Sequence, residues 1–197
     1  EYVDAIIDAD DSTTTARDWV LRRAVQHLPK SYKLWKNLWE FQISHNDNGT
    51  DTVFACLERA LVTLSSYPRV WIAYIEYSFE HSISCTHLRR TCNRALESVA
   101  VSQHDKLWNV IVPHILDSNC ILPWESINAL LQRYCMFQPD YKIEYAQLCE
   151  RNGKWGPAAA AYLQLDDAAF QVNWESFCEL VSQHSLQVER AGIPWQN

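Results

Sequence analysis

The stretch Leu57-Glu58-Arg59-Ala60-Leu61, followed by Tyr67-Pro68-Arg69-Val70-Trp71, decides the fold of this chain. The arginine, the small residue and the aliphatic residue of the first string recur as Arg23-Ala24-Val25 and Arg94-Ala95-Leu96, with a weaker copy at Arg133-Tyr134-Cys135. Successive arginines of this set are 36, 35 and 39 residues apart. A fixed spacing of this size is the sequence signature of a structural repeat.

Tryptophan follows the same period. Trp35, Trp71 and Trp108 are separated by 36 and 37 residues, close to the period of about 34 residues of helix-turn-helix repeats. Around both elements the apolar residues recur at i, i+3, i+4 and i+7, which is the pattern of a helix with one buried face. The sequence therefore predicts alternating helices, one that carries the tryptophan and one that carries the Arg-Ala pair.

Turn signals divide the chain into helices. Prolines, which suit the first turn of a helix but not its interior, precede several apolar stripes at Pro29, Pro68 and Pro139. Residues able to cap a helix N-terminus precede others at Ser31, Thr50, Ser84 and Ser102. The predicted helices are 1–9, 13–28, 31–45, 51–65, 69–81, 84–99, 103–117, 124–137, 140–151, 155–165 and 170–184. Connections this short make neighbouring helices antiparallel.

The predicted fold class is all-α, a right-handed α-solenoid of antiparallel helix pairs of the TPR-like kind, in which stacked neighbours bury the core. We expect a single array over 1–184, cut from a longer chain, and an irregular tail over 185–197. The residues that define the repeat are Trp35, Trp71, Trp108, Arg23, Arg59, Arg94, Ala24, Ala60 and Ala95. We expect the arginines to pair with acids on a neighbouring helix, such as Glu40, Glu76 or Glu80.

Tryptophan on one helix and Arg-Ala-aliphatic on the next resembles the half-a-TPR (HAT) repeat. Three strings are similar to the N-terminal HAT array of the Syf-one (XPA-binding-protein-two) family of splicing scaffolds: Leu28–Trp35, Tyr67–Trp71 and Gln103–Trp108. The resemblance is specific over 20–109 and collinear over 124–184. It implies a nuclear component of the spliceosome whose partners are other HAT-repeat factors and an intron-binding helicase. Some family members are linked to transcription-coupled DNA repair.

Charge and composition argue against several other classes of protein. The formal net charge is −7, whereas a domain that binds nucleic acid through its own field is normally basic. Seven cysteines include no CxxC pair, and Cys85 and Cys92 share a predicted helix face with Leu88, which favours core packing over a zinc site. We predict no catalytic residues, no metal, no cofactor, no small-molecule substrate and no membrane span.

A basic stretch leaves two interpretations open. The candidates for a partner or RNA surface are Arg17, Arg22, Lys30, Lys33, Lys36, Arg89 and Arg90. Exposed helix faces with intramolecular ion pairs are the favoured interpretation, and contact with RNA or an acidic partner is the other. The leading functional hypothesis is a non-catalytic protein-protein interaction scaffold in pre-mRNA splicing. The alternatives are a HAT scaffold in 3′-end cleavage or ribosomal RNA processing, and direct RNA binding through residues 17–36.

Overall fold

A computed structural model describes residues 14–45, 49–81, 84–190 and 192 of the chain. These residues form eleven α-helices and two short 3₁₀ helices, Val101–Gln103 and Pro139–Tyr141, and they contain no strand. The helices are α1 Thr14–His27, α2 Tyr32–Ser44, α3 Thr50–Leu64, α4 Pro68–His81, α5 Cys85–Ser98, α6 His104–Leu116, α7 Trp124–Phe137, α8 Lys142–Arg151, α9 Trp155–Tyr162, α10 Asp167–Val172 and α11 Trp174–Arg190. The all-α prediction is confirmed, while the right-handed sense stays a prediction. The predicted helix 1–9 lies outside the described residues.

Helix starts show which local signals were interpreted correctly. Helix α4 begins at Pro68, one residue before the predicted start at 69, so this proline occupies the first helical position. Ser84 caps α5, and its hydroxyl accepts a 3.1 Å hydrogen bond from the backbone N–H of His87. Thr50 is not the cap of α3, because Gly49 takes that position with a φ of 78°, a conformation that glycine adopts without strain. Ser102 lies inside a 3₁₀ helix and does not cap α6.

The described residues up to Pro123 form one compact unit. Within it, α1 to α5 each pack against the helix that follows, and α4 also packs directly against α6. Ala60 and Ala95 are fully buried in α3 and α5, which lets neighbouring helices approach closely, whereas Ala24 is half-buried. The first unit is therefore an alternation of the predicted tryptophan helices, α2, α4 and α6, with the predicted Arg-Ala helices α1, α3 and α5.

The residues from Trp124 onward form a second compact unit. Helix α9 packs against both α8 and α11, and its Ala158 and Ala159 are fully buried. The turn between α8 and α9 is closed by Gly153, whose φ is 66°. Its backbone N–H donates to Glu150 at 2.9 Å while that of Lys154 donates to Cys149 at 2.8 Å. This is the Schellman arrangement, in which glycine ends a helix and its last carbonyls find donors.

The C-terminal part differs from the prediction. The single helix predicted over 170–184 is two helices, α10 and α11, which meet at Asn173. Helix α11 continues to Arg190, so the first residues of the predicted irregular tail are helical. The backbone of His184 is not helical, with φ −128° and ψ 28°, and its ring stacks on Trp155 with the ring centroids 3.6 Å apart. The predicted helix end coincides with this break. The continuity of a single array over 1–184 stays a prediction.

Candidate interaction surface

Two of the repeat tryptophans join the start of their own helix to the end of the preceding one. Trp35 Nε1 donates to the Pro29 carbonyl at 2.8 Å, and Trp71 Nε1 donates to the Ser65 carbonyl at 2.6 Å. Each acceptor lies six residues before its tryptophan. Both indoles are buried, as is that of Trp108. The tryptophan therefore fixes the connection between consecutive helices as well as filling the core.

The repeat arginines lie over tryptophan rings. The Arg59 guanidinium carbon is 6.0 Å from the Trp35 ring centroid, and that of Arg94 is 5.3 Å from Trp71. The arginines of α3 and α5 thus cover the tryptophan of the helix before them, whereas Arg23 of α1 lies over Trp19 of its own helix. A guanidinium at this distance is attracted by the electron-rich ring face, and the interaction contributes roughly 0.5–1 kcal/mol at exposed sites. In the second and third copies of the repeat, this contact joins the Arg-Ala helix to the preceding tryptophan helix.

Arg94 also forms an ion pair that joins three helices. Its Nη1 and Nη2 donate to the two carboxylate oxygens of Glu58 in α3, at 2.6 and 2.9 Å. The Tyr74 hydroxyl of α4 donates to the same carboxylate at 2.6 Å. The hydrogen bond from Arg94 is the main reason that the pKa of Glu58 is lowered. Burial, followed by the bond to Glu58, raises the pKa of Tyr74.

The predicted partners of the arginines were wrong in one respect. Arg94 does pair with an acid on another helix, but that acid is Glu58 and not Glu40, Glu76 or Glu80. Glu40 instead lies 3.5 Å from Lys36 on its own helix. Glu58 was missed because it stands inside the repeat motif itself, beside Arg59. Its separation of 36 residues from Arg94 equals one repeat, and that was the signal that could have found it.

The predicted basic surface residues do not share one environment. Arg17 is half-buried and its guanidinium lies 5.0 Å from the Phe41 ring centroid. Arg22 Nε donates to Asp18 at 2.6 Å, within one helix. Lys30 and Lys33, which lie between Arg22 and Lys36 in the sequence, are exposed. Arg89 and Arg90 are exposed on α5. Contact of these residues with RNA or with a partner stays a prediction.

Cysteine placement separates one exposed thiol from a buried one. Cys92 is fully buried, and this burial raises its pKa to about 12. Cys85 is exposed, so the prediction that it packs in the core beside Leu88 was wrong. It occupies the first turn of α5, directly after the Ser84 cap, and it stays exposed although Leu88 and Cys92 of the same helix are buried. Among the residues that the structure describes, no three His, Cys, Asp or Glu side chains are placed to hold a metal ion.

An open groove of about 370 Å³ lies between the two tryptophan helices α2 and α4, and we call it the α2–α4 groove. Helix α2 contributes Tyr32, Lys36, Trp39, Glu40 and Ile43 to its lining. Helix α4 contributes Arg69, Ile72, Ala73, Glu76, Tyr77 and Glu80. On each helix these residues recur at intervals of three and four, so they form one continuous face. The groove combines an apolar and aromatic interior with charged residues.

A larger cavity of about 730 Å³ lies within the second unit, between α7, α8, α9 and the 3₁₀ helix Pro139–Tyr141. Met136, Pro139 and Pro157 give it a largely apolar wall. Its Lys142 ammonium donates to the Gln164 carbonyl at 2.7 Å, and its Tyr145 hydroxyl donates to Asn128 at 2.6 Å. These polar atoms are already engaged within the unit. No helix within the described ranges is long and apolar enough to cross a membrane.

Alternating tryptophan and Arg-Ala helices, joined by indole-carbonyl bonds and arginine-tryptophan contacts, define a helical-repeat protein of the HAT class. The chain belongs to the family described as the pre-mRNA-splicing factor Syf1/CNRKL1 N-terminal HAT repeat, whose model matches residues 1–140. The predicted resemblance to Syf-one splicing factors is confirmed.

Three relatives illustrate the similarity. The chain is 29% identical over 188 residues to pre-mRNA-splicing factor SYF1 of Dictyostelium discoideum, which covers 87% of this chain and 22% of the relative. It is 30% identical over 187 residues to syf1 of Emericella nidulans, in an alignment that covers 86% of this chain and 21% of the relative. It is 26% identical over 186 residues to human SYF1, in an alignment that covers 87% of this chain and 21% of the relative. The chain thus spans about a fifth of the length of these curated relatives.

Proposed function

We propose that this chain is a non-catalytic protein-protein interaction scaffold in pre-mRNA splicing, acting in the nucleus as part of the spliceosome. The observation that supports the scaffold role is the α2–α4 groove, an open surface formed by one face from each of two tryptophan helices. Helical-repeat proteins characteristically bind their partners along such extended surfaces. The splicing assignment is supported by the names of the relatives, all of which are splicing factors.

The partners we propose are other spliceosomal proteins, namely HAT-repeat factors and an intron-binding helicase. RNA contact is secondary in this proposal, because Arg17 and Arg22 of the basic stretch lie against Phe41 and Asp18. A filter-binding titration of single-stranded RNA against salt concentration tests that ranking. Binding that is tight at low salt and weakens steeply as salt rises would favour the RNA interpretation over the scaffold.

The scaffold is tested by recovering the full product of the gene from nuclei and identifying the proteins that come with it. Ile43 lines the groove and is 44% exposed, so Ile43→Asp alters the groove with little effect on the core. Val62 is 81% exposed on α3 and outside the groove lining, so Val62→Asp is the matched control. We expect spliceosomal proteins with the wild type and with Val62→Asp, and the loss of a subset with Ile43→Asp. Recovery of 3′-end or ribosomal RNA processing factors in their place would contradict the splicing assignment.

A further inference from the structure

The charged residues of the α2–α4 groove are arranged in order along its length. Arg69 lines its beginning, in the first turn of α4, while Glu76 and Glu80 line its other end, in the last two turns of the same helix. Both helices run in the same direction, since each is antiparallel to α3, which lies between them in the chain. The groove therefore has one basic end and one acidic end.

Ion pairing within the chain leaves this polarity in place. Lys36 lies 3.5 Å from Glu40, and this pair occupies the middle of the α2 wall. Glu76 and Glu80 are exposed, one helical turn apart, and neither forms an ion pair with a described residue. Two like charges at this spacing repel each other and weaken a helix slightly. Their arrangement is unfavourable in the free chain and becomes favourable when a cation lies beside them.

The interior of the groove supplies the apolar component of a binding site. Ile72 and Ala73 of α4 lie on the same face as the acids, and Trp39 and Ile43 face them from α2. Tyr77 also lines the groove, and its buried hydroxyl has no hydrogen-bond partner among the described residues. Apolar anchors flanked by polar groups that set orientation are the usual composition of a specific binding site.

The groove length limits what it can hold. Residues 32 and 43 on α2, like residues 69 and 80 on α4, are eleven positions apart. At a rise of about 1.5 Å per residue the groove is about 16 Å long, which matches about eleven residues of a helical segment or about five residues of an extended one. A short segment of another protein fits this length.

We propose that the α2–α4 groove binds a segment of a partner protein that places lysine or arginine beside Glu76 and Glu80, an aliphatic or aromatic side chain over Ile72, and an acid beside Arg69. This proposal rests on the scaffold function and adds to it the chemistry and the direction of the bound segment. Charge complementarity of this kind fixes the register of a partner and selects against segments of reversed polarity.

The test is selection of random peptides of about 12 residues, displayed on phage, against the purified 197-residue chain. We expect enriched peptides with a basic residue at one end, an apolar residue in the middle and an acidic residue at the other end. The same selection against Glu76→Lys/Glu80→Lys should enrich an acid where the wild type enriched a base. Glu97→Lys on α5, an exposed position outside the groove, is the control and should select the wild-type pattern.

Binding of one enriched peptide, measured by fluorescence polarisation, gives the second readout. We expect the Glu80→Lys protein to bind it about threefold to tenfold more weakly at low salt, and a peptide with the opposing base changed to glutamate to recover most of that loss. No enrichment, or the same enriched charges with the wild type and the doubly substituted protein, would overturn the proposal. Self-association of the chain that masks the groove would do the same. If any of these results were obtained and the wild-type protein still recovered a normal set of splicing partners from nuclei, the scaffold function would stand without this groove.

Discussion

Replacing Trp71 with alanine tests the central packing claim. The side chain is 1% exposed, its Nε1 donates to the Ser65 carbonyl at 2.6 Å, and the Arg94 guanidinium carbon lies 5.3 Å from its ring centroid. Alanine removes all three contributions and leaves a cavity at the point where α3, α4 and α5 meet. We expect Trp71→Ala to lower the free energy of unfolding of the first unit by about 3–5 kcal/mol, as core aromatic deletions do.

The structure also indicates how that loss divides. The Ser65 carbonyl is on an exposed residue, so water replaces the indole donor, and the hydrogen bond contributes only about 0.5–1.5 kcal/mol. The arginine contact adds roughly 0.5–1 kcal/mol, because Arg94 is partly exposed. Buried apolar surface and the cavity account for the rest. Trp71→Phe, which keeps a ring but removes the donor, should therefore cost less than half as much as Trp71→Ala.

The assay must separate the first unit from the second. Native-state hydrogen exchange read by mass spectrometry reports the opening free energy of peptides from α3, α4 and α5 individually, and urea unfolding followed by circular dichroism gives the overall change. Trp19→Ala is the matched control, because Trp19 is 63% exposed although Arg23 lies 5.8 Å from its ring centroid. We expect it to cost under about 1 kcal/mol. Equal losses at Trp19 and Trp71 would refute the reasoning from burial.

Three further predictions follow from individual contacts. Glu58→Gln should lower the unfolding free energy by only about 0.5–1 kcal/mol at pH 7, because the pair with Arg94 is partly exposed. The pKa of Glu58 in the folded chain lies below its usual 4.5, so the difference in unfolding free energy from wild type should shrink as the pH falls below 4.5. A difference in urea midpoint that stays constant down to pH 3 would contradict this. Alkylation with iodoacetamide at pH 8, followed by mass spectrometry, should label exposed Cys85 quickly and leave Cys92, with its pKa of about 12, unlabelled in the folded chain. Ser84→Ala removes the cap of α5 and should cost about 1 kcal/mol in urea unfolding, whereas Ser84→Asp, which can still accept the bond, should cost little.

The sequence was sufficient for the helices because their pattern is local. Apolar residues at helical spacing, together with prolines and caps, placed both ends of α1 to α7 within one residue. The break at His184 could not be found in this way. It accompanies stacking on Trp155, which is 29 residues earlier in the chain, and no local pattern records which rings meet. The start of α10 at Asp167 was also missed, because Asp166 was not recognised as its cap.

The groove illustrates a second limit. Glu76 and Glu80 were predicted to be internal partners of the repeat arginines because sequence gives the spacing of residues on one helix but not the distance between helices. The repeat arginine had a nearer acid, Glu58, one period away on the preceding Arg-Ala helix. That solution is specific to its position, because the residue before the repeat arginine is glutamate at 58 but arginine at 22. The same ion pair therefore cannot form between Arg59 and α1. A nearly uniform sequence repeat thus builds copies with different electrostatics, and Glu76 and Glu80, which face the α2–α4 groove, form no ion pair with a described residue.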